Sequence, residues 1–155
     1  MGIQKTPSGT RGTARPGLPA WITRHFGRWL IALHRLQGDR LLDMDLLYLT
    51  TVGARSGETR QTPLVRFADG QDAWLVVGSV GGAARHAAWY HNLVAHPDQV
   101  WVEMDGRRIH VAPEQLEGER REVAWRRIVA LQPRYAGYQA KTDRLIPVIR
   151  LTPTP

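Results

Sequence analysis

The chain has no cysteine, so disulfide frameworks, thiolate metal sites and cysteine nucleophiles are all excluded. Redox chemistry would then need a borrowed cofactor, and a cytoplasmic location is the expectation. No apolar run approaches the ~20 residues that a membrane-spanning helix requires. Acidic residues are absent from the first 38 positions, which carry Lys5, Arg11, Arg15, Arg24, Arg28 and Arg35. The formal charge of +7 is therefore concentrated in this front quarter, and the rest of the chain is near neutral. A basic arm on a neutral body suits a surface-seeking segment better than a nucleic-acid groove, so no nucleic-acid partner is expected.

What is present fits one soluble domain: 155 residues, of which 43% are hydrophobic and 23% charged. Residues 1–20 are rich in proline, glycine, serine and threonine and read as a disordered basic leader without the apolar centre of a secretory signal. Residues 21–38 read as an amphipathic helix. At helical spacing, Trp21, Ile22, Phe26, Trp29, Leu30, Leu33 and Leu36 share one half, with Arg24, Arg28 and Arg35 opposite. Two readings stay open for Trp21 to Leu36: a helix packed on the core, or one lying on an anionic membrane surface, peripheral to the cytoplasmic face.

Residues 39–155 form the main domain. Leu46 to Val52 is apolar and β-branched, Thr59 to Phe67 alternates, and Ala73 to Val77 reads as a buried strand. Asp69-Gly70 and Asp105-Gly106 signal hairpins, the second joining Val100–Met104 to Arg107–Val111. Helices are expected over His86–Ala95, Glu117–Leu131 and Tyr135–Lys141, and a last strand over Leu145–Leu151. Hairpin-linked strands outnumber helices and no regular βαβ alternation occurs. The fold class is therefore α+β, a small antiparallel barrel with helices over its openings.

Three stretches carry candidate chemistry. In Gly53-Ala54-Arg55-Ser56-Gly57-Glu58-Thr59-Arg60, a tight turn exposes backbone N–H groups beside two guanidinium forks, which suits a phosphate or carboxylate. A plain hairpin with solvated arginines is the competing reading. Next in the chain, Pro63 cannot donate to a sheet ladder, so that strand belongs at an edge or bulge, where a flat ligand finds free backbone groups. In the second stretch, Gly78-Ser79-Val80-Gly81-Gly82 leaves a strand and leads through Arg85 into a helix, which makes an anion seat or simply a turn with glycines for geometry. Trp89 and Leu93, four apart, face the core. The third stretch holds Tyr135 and Tyr138, whose phenols point the same way and can donate a hydrogen bond or proton, or else cap a core. His86, His91 and His96 recur about 140° apart on a helix, the wrong spacing for a shared metal, and none is expected. Glu117, Glu119 and Glu122 with Arg120 and Arg121 read as a solvated helix face.

Taken together, Thr50 to Leu64, Ser79 to Gly82 leading into Trp89-Tyr90-His91-Asn92-Leu93, and Tyr135-Ala136-Gly137-Tyr138-Gln139 followed by Thr142 to Pro147 resemble the deazaflavin-dependent nitroreductase family of actinobacteria. The resemblance runs from about residue 45 to residue 153, with the three motifs in the family's order and spacing. It implies a split β-barrel related to FMN-binding barrels, coenzyme F420 as a hydride carrier, and quinones, nitroaromatics or activated enones as substrates. It also implies that Arg55, Ser56 and Arg60 hold the coenzyme's anionic tail. Thr62 and Pro63 would meet the flat ring through backbone, Val77, Gly78 and Ser79 would line its other side, and Gly81, Gly82, Arg85 and Trp89 would lie nearby. Ser79, Tyr135 and Tyr138 would act on the substrate oxygen.

The chain departs from the family pattern at four places. Ala54 stands where a basic residue is usual, Ala87 where proline is usual, and Val65 and Gln132 where some relatives carry tyrosine. Only two of the pocket tyrosines remain, which shifts the expected substrate range. The expected function is hydride transfer from reduced F420 to an electrophilic small molecule. The rival readings are an FMN-binding or haem-binding barrel and a non-enzymatic membrane-surface module. No oligomeric state follows from the residues.

Overall fold

The protein is described from a computed structural model, which covers residues 6–13, 40–41 and 44–155. The expected amphipathic helix over Trp21–Leu36 lies outside the described residues. From position 40 onward the elements run β1 (Arg40–Leu41), β2 (Met44–Val52), β3 (Thr59–Val65), β4 (Phe67–Asp69), β5 (Ala73–Val77), a 3-10 turn (Val80–Gly82), α1 (Ala88–Ala95), β6 (Trp101–Met104), β7 (Arg107–Gln115), α2 (Gly118–Leu131), α3 (Arg134–Ala140) and β8 (Val148–Pro153).

Among the described residues the strands named above pair antiparallel, in the order β1-β2-β6-β7-β8-β5-β4, with β3 paired to β2. β7 is long enough to serve two partners: Arg107–His110 pair with β6, and Val111–Gln115 pair with β8. That change of partner bends the sheet. At the other end β3 and β4 are separated only by Arg66, whose backbone N–H donates to the Asp45 carbonyl at 2.9 Å. The sheet thus curls into a half-barrel, the split β-barrel expected from the sequence, with three helices packed against it.

β2 is buried from Leu46 to Thr51 because β3 and β6 flank it and side chains pack on both its faces. β5 shows the same two-sidedness by alternation. Val76 joins a core of Leu47, Leu49, Trp89, Leu93, Val102 and Ile149, while Leu75 and Val77 join a second core with Phe67, Ile128, Tyr135 and Val148. Trp89 and Leu93 face the core as their spacing predicts. The first core lies under α1 and the second under α2 and α3.

Three local expectations shift. α1 starts at Ala88 rather than His86, because Ala87 is extended at φ −61° and ψ 149°. β8 starts at Val148 rather than Leu145, because Ile146 N–H donates to Gln139 Oε1 at 3.0 Å and Pro147 accepts from Gly78 N–H at 3.0 Å. Arg121 is not on a solvated face: it is 4% exposed, donates to the Ile146 carbonyl at 2.8 Å and lies 4.5 Å over the Trp125 ring. Glu117, Glu119 and Glu122 remain exposed.

Candidate functional site

Between β3, the end of β5, the 3-10 turn and the starts of α1 and α3 lies a cavity of about 520 Å³, within the range that takes a cofactor-sized ligand. Thr62, Pro63, Val77, Ser79, Gly81, Trp89, Tyr135 and Tyr138, all singled out in the sequence, line it. Residues from three separate stretches are thus brought to one place. Pro63 sits opposite Tyr48 in a strand whose only partner among the described residues is β2, so the cavity opens along a sheet edge. Gly81 leaves room there: a Cβ built on it would meet nothing within 4 Å.

The first glycine turn is built by its own bonds. Gly53 N–H donates to the Glu58 carbonyl at 2.8 Å, Gly57 N–H to the Gly53 carbonyl at 2.9 Å, and Glu58 N–H to Ser56 Oγ at 3.2 Å. Arg55 and Ser56 are exposed on it and do not line the cavity. Arg60 is half-buried and paired with Glu58 at 2.6 Å. Arg85 is exposed beyond the second glycine turn.

In that second turn Gly78 and Gly82 pack against protein rather than cavity. A Cβ on Gly78 would come within 2.8 Å of Pro147 Cγ, and one on Gly82 within 2.6 Å of the Tyr138 carbonyl oxygen. Gly82 also sits at φ +85°, which disfavours any other residue.

Tyr135 is buried, edge-on to Phe67 at 5.7 Å and to Tyr138 at 5.5 Å, and belongs to the second core as well as to the cavity wall. Burial pushes its phenol above the ordinary tyrosine range, opposed by the guanidinium of Arg134, 5.5 Å from the ring centre. A phenol held in this way stays protonated and can donate.

Sequence reasoning missed three residues here. Arg134 lines the cavity and contacts Met44 Sδ; its place beside Tyr135 at the start of a helix was the available signal. Asn92, 8% exposed, ties α1 to the first glycine turn through Ala54 and Thr51. Arg144, 6% exposed, bonds the backbone of the second turn. Asn92 and Arg144 stood inside quoted motifs, but nothing local marked their partners. Among the described residues, no cluster of three or more His, Asp or Glu could hold a metal ion, and no helix is long and apolar enough to cross a membrane.

The cavity fits a flat polycyclic group. Its walls at Pro63, Leu64, Val77 and Trp89 are apolar, its polar groups converge at Thr62, Ser79, Tyr135 and Tyr138, and outside it Arg55 lies on the first glycine turn, Arg60 at the start of β3 and Arg85 after the second turn.

Comparison with known proteins agrees. The family described as F420H(2)-dependent quinone reductase matches residues 23–153, a longer span than the sequence motifs covered. An F420H(2)-dependent quinone reductase of Mycobacterium tuberculosis is 36% identical over 145 residues, 85% of this chain and 95% of that protein. Among solved structures, an F420-H2 dependent reductase (FDR-A) superposes with a TM-score of 0.61 at 40% identity, over 68% of this chain and 92% of that one. A chain described as a domain-swapped dimer gives 0.63 at 36% identity, over 86% and 99%. A pyridoxamine 5′-phosphate oxidase-like protein of Listeria innocua gives 0.50 at 15% identity over 84% and 94%, a likeness of fold alone. On the extent of these matches, the chain belongs to the F420H(2)-dependent quinone reductase family and has coenzyme F420 as its cofactor.

Proposed function

We propose that this enzyme reduces quinones in the cavity bounded by β3, the Gly78–Gly82 turn, α1 and α3. The observation that carries the reading is the convergence of Thr62, Pro63, Val77, Ser79, Gly81, Trp89, Tyr135 and Tyr138 on one cavity wall. When bound, the reduced deazaflavin supplies the hydride. The protein supplies placement and charge. Pro63 and Thr62 would meet the flat ring along the open edge of β3, Val77 would back it, and Trp89 and Leu64 would exclude water. Arg55, Ser56, Arg60 and Arg85 would hold the anionic tail, with Gly81 allowing close approach to backbone.

On the substrate side, Ser79, Tyr135 and Tyr138 donate hydrogen bonds to the quinone oxygen as negative charge develops on it. Burial, which pushes the Tyr135 phenol above the ordinary tyrosine range, keeps that donor protonated at neutral pH. Arg134, on the same wall, adds a positive charge beside it. Val65, lining the cavity where some relatives carry tyrosine, leaves one donor fewer there and shifts the substrate range.

The test is a fluorescence titration with oxidised F420, followed by turnover of a naphthoquinone and a nitroaromatic by the reduced coenzyme. Binding in the micromolar range with faster quinone turnover supports the reading; no binding at tens of micromolar overturns it. The tryptophan and arginine pattern of Trp21 to Leu36 would bring the enzyme to anionic bilayers, where lipophilic quinones reside. Cosedimentation with anionic but not neutral vesicles, lost on deleting residues 1–38, is the expected result.

A further inference from the structure

The carbonyls of the second glycine turn are all in use by the protein. Arg144 Nη2 donates to the carbonyls of Gly78 at 3.0 Å and Ser79 at 2.8 Å, and its Nε donates to that of Ala83 at 2.7 Å. The Val80 carbonyl accepts from Ala83 N–H at 3.1 Å, and that of Ser79 also accepts from Gly82 N–H at 2.9 Å. The two left over are taken from outside by the leader. Thr13 donates its backbone N–H to the Gly82 carbonyl at 3.0 Å and its hydroxyl to the Gly81 carbonyl at 3.3 Å.

The opposite side of the same peptides is open. Among the described residues, no acceptor takes the N–H groups of Ser79, Val80 and Gly81. In a planar trans peptide the N–H points away from the carbonyl, so fastening the Gly78 and Ser79 carbonyls to Arg144 turns the N–H groups of Ser79 and Val80 away from it. The residues that carry these free donors line the cavity.

The leader is held closely enough to act in this way. A Cβ on Gly12 would lie 2.1 Å from Ala84 N, so only glycine fits at that crossing, and Arg11 bonds Asp143 through Nε at 3.2 Å and through backbone at 3.0 Å. Arg144 and the leader thus hold the turn from two sides. Arg144 also meets His86 Nδ1 at 3.3 Å, next to the start of α1.

We infer that Arg144 and Thr13 are positioning residues that make the turn a donor-only surface, so that it accepts an oxygen-bearing or anionic edge of the ligand and repels a donor edge. The inference rests on the proposed function for the ligand's identity, but not for the shape of the turn. Neither residue touches the ligand. Both act by occupying carbonyls that would otherwise compete for it.

The experiment compares the full-length wild type with Arg144→Lys, Thr13→Val and Ile128→Ala, the last a truncation in the second core that removes none of the turn's hydrogen bonds. Oxidised F420 binding is read by fluorescence, the bound coenzyme's absorbance spectrum is recorded, and amide hydrogen exchange is followed at Gly82 and Ala83 without coenzyme. The expected result is a dissociation constant raised about tenfold in Arg144→Lys and about threefold in Thr13→Val, with the bound spectrum shifted toward that of free coenzyme. Exchange at Gly82 and Ala83 should quicken in both, while Ile128→Ala loses thermal stability without changing affinity, spectrum or exchange at the turn. If Arg144→Lys does not fold, Thr13→Val decides by the same readouts. Unchanged affinity and exchange in the variants, or equal losses in Ile128→Ala, overturn the inference. Failure of the wild type to bind F420 overturns the proposed function instead, and exchange at the turn then judges the inference alone.

Discussion

Asn92 Oδ1 accepts the backbone N–H of Ala54 at 3.0 Å, which fixes helix α1 to the glycine turn between β2 and β3. The same amide donates through Nδ2 to Thr51 Oγ1 at 3.1 Å, so one buried side chain spans the strand and the turn it leads into. The turn that carries Arg55 and Ser56 is thereby held at a set distance from the wall that carries Trp89. Asn92→Ala would leave the buried Thr51 hydroxyl and the part-buried Ala54 N–H without this partner, at a cost of about 1–3 kcal/mol. Urea denaturation should show that loss, and F420 titration should show affinity weakened several-fold.

The pair Arg60 and Glu58 is solvent-accessible, at 2.6 Å. Glu58→Gln releases the guanidinium at a stability change within about 1 kcal/mol. Affinity for the coenzyme should rise a few-fold at low ionic strength, and the gain should fade in high salt as screening sets in. A variant that binds more weakly would place the anionic tail elsewhere.

Tyr135→Phe and Tyr138→Phe each remove a phenolic donor from the cavity wall and leave the ring that packs on its neighbour. Loss of a hydrogen bond made to developing charge lowers kcat by about 10- to 100-fold with little change in the KM for quinone. Steady-state kinetics on the two variants checks this. A rise in KM alone would assign the phenols to uniform binding.

Gly82→Ala forces a Cβ to within 2.6 Å of the Tyr138 carbonyl oxygen from a backbone at φ +85°. The second turn and α3 must separate to relieve the contact. A loss of about 1–3 kcal/mol is expected, read by thermal denaturation.

Asp69 is gripped by Arg127 at 2.8 Å and by Arg150 at 2.6 Å, which joins the β4–β5 hairpin to α2 and β8. The hydrogen bond from Arg127, then that from Arg150, holds the carboxyl below its ordinary range, against the opposing effect of partial burial. A group lowered in this way adds stability that is fully present above its unfolded value of about 3.9 and lost as pH falls through the lower folded value. Stability should therefore decline below about pH 4, and Asp69→Asn should flatten that part of the acid denaturation profile.

Much of the fold was legible because its signals are local. Asp69-Gly70 and Asp105-Gly106 specify hairpins within a few residues, Pro63 marks an edge, and the run from Leu46 to Thr51 marks a strand covered on both faces. The cavity was legible by resemblance, since three motifs that meet in space also occur in order along the chain. The supports of the site were not. Arg121 looks in sequence like a solvated cation and nothing local marks Arg144, and the burial of both depends on backbone carbonyls supplied by distant elements. Nor does the composition of residues 1–20 hint that Thr13 meets Gly82. Polarity patterns report which side chains prefer water, and they are silent on which main-chain oxygens stand ready to replace it.

Pro63 has a further consequence. A rim left open so that a guest can lie along it is also a place where a second polypeptide could zip on and begin a growing aggregate. An imino acid in that rim takes away one rung of the ladder such an invader would need. A proline on this open strand beside the cavity thus also works against polymerisation through it.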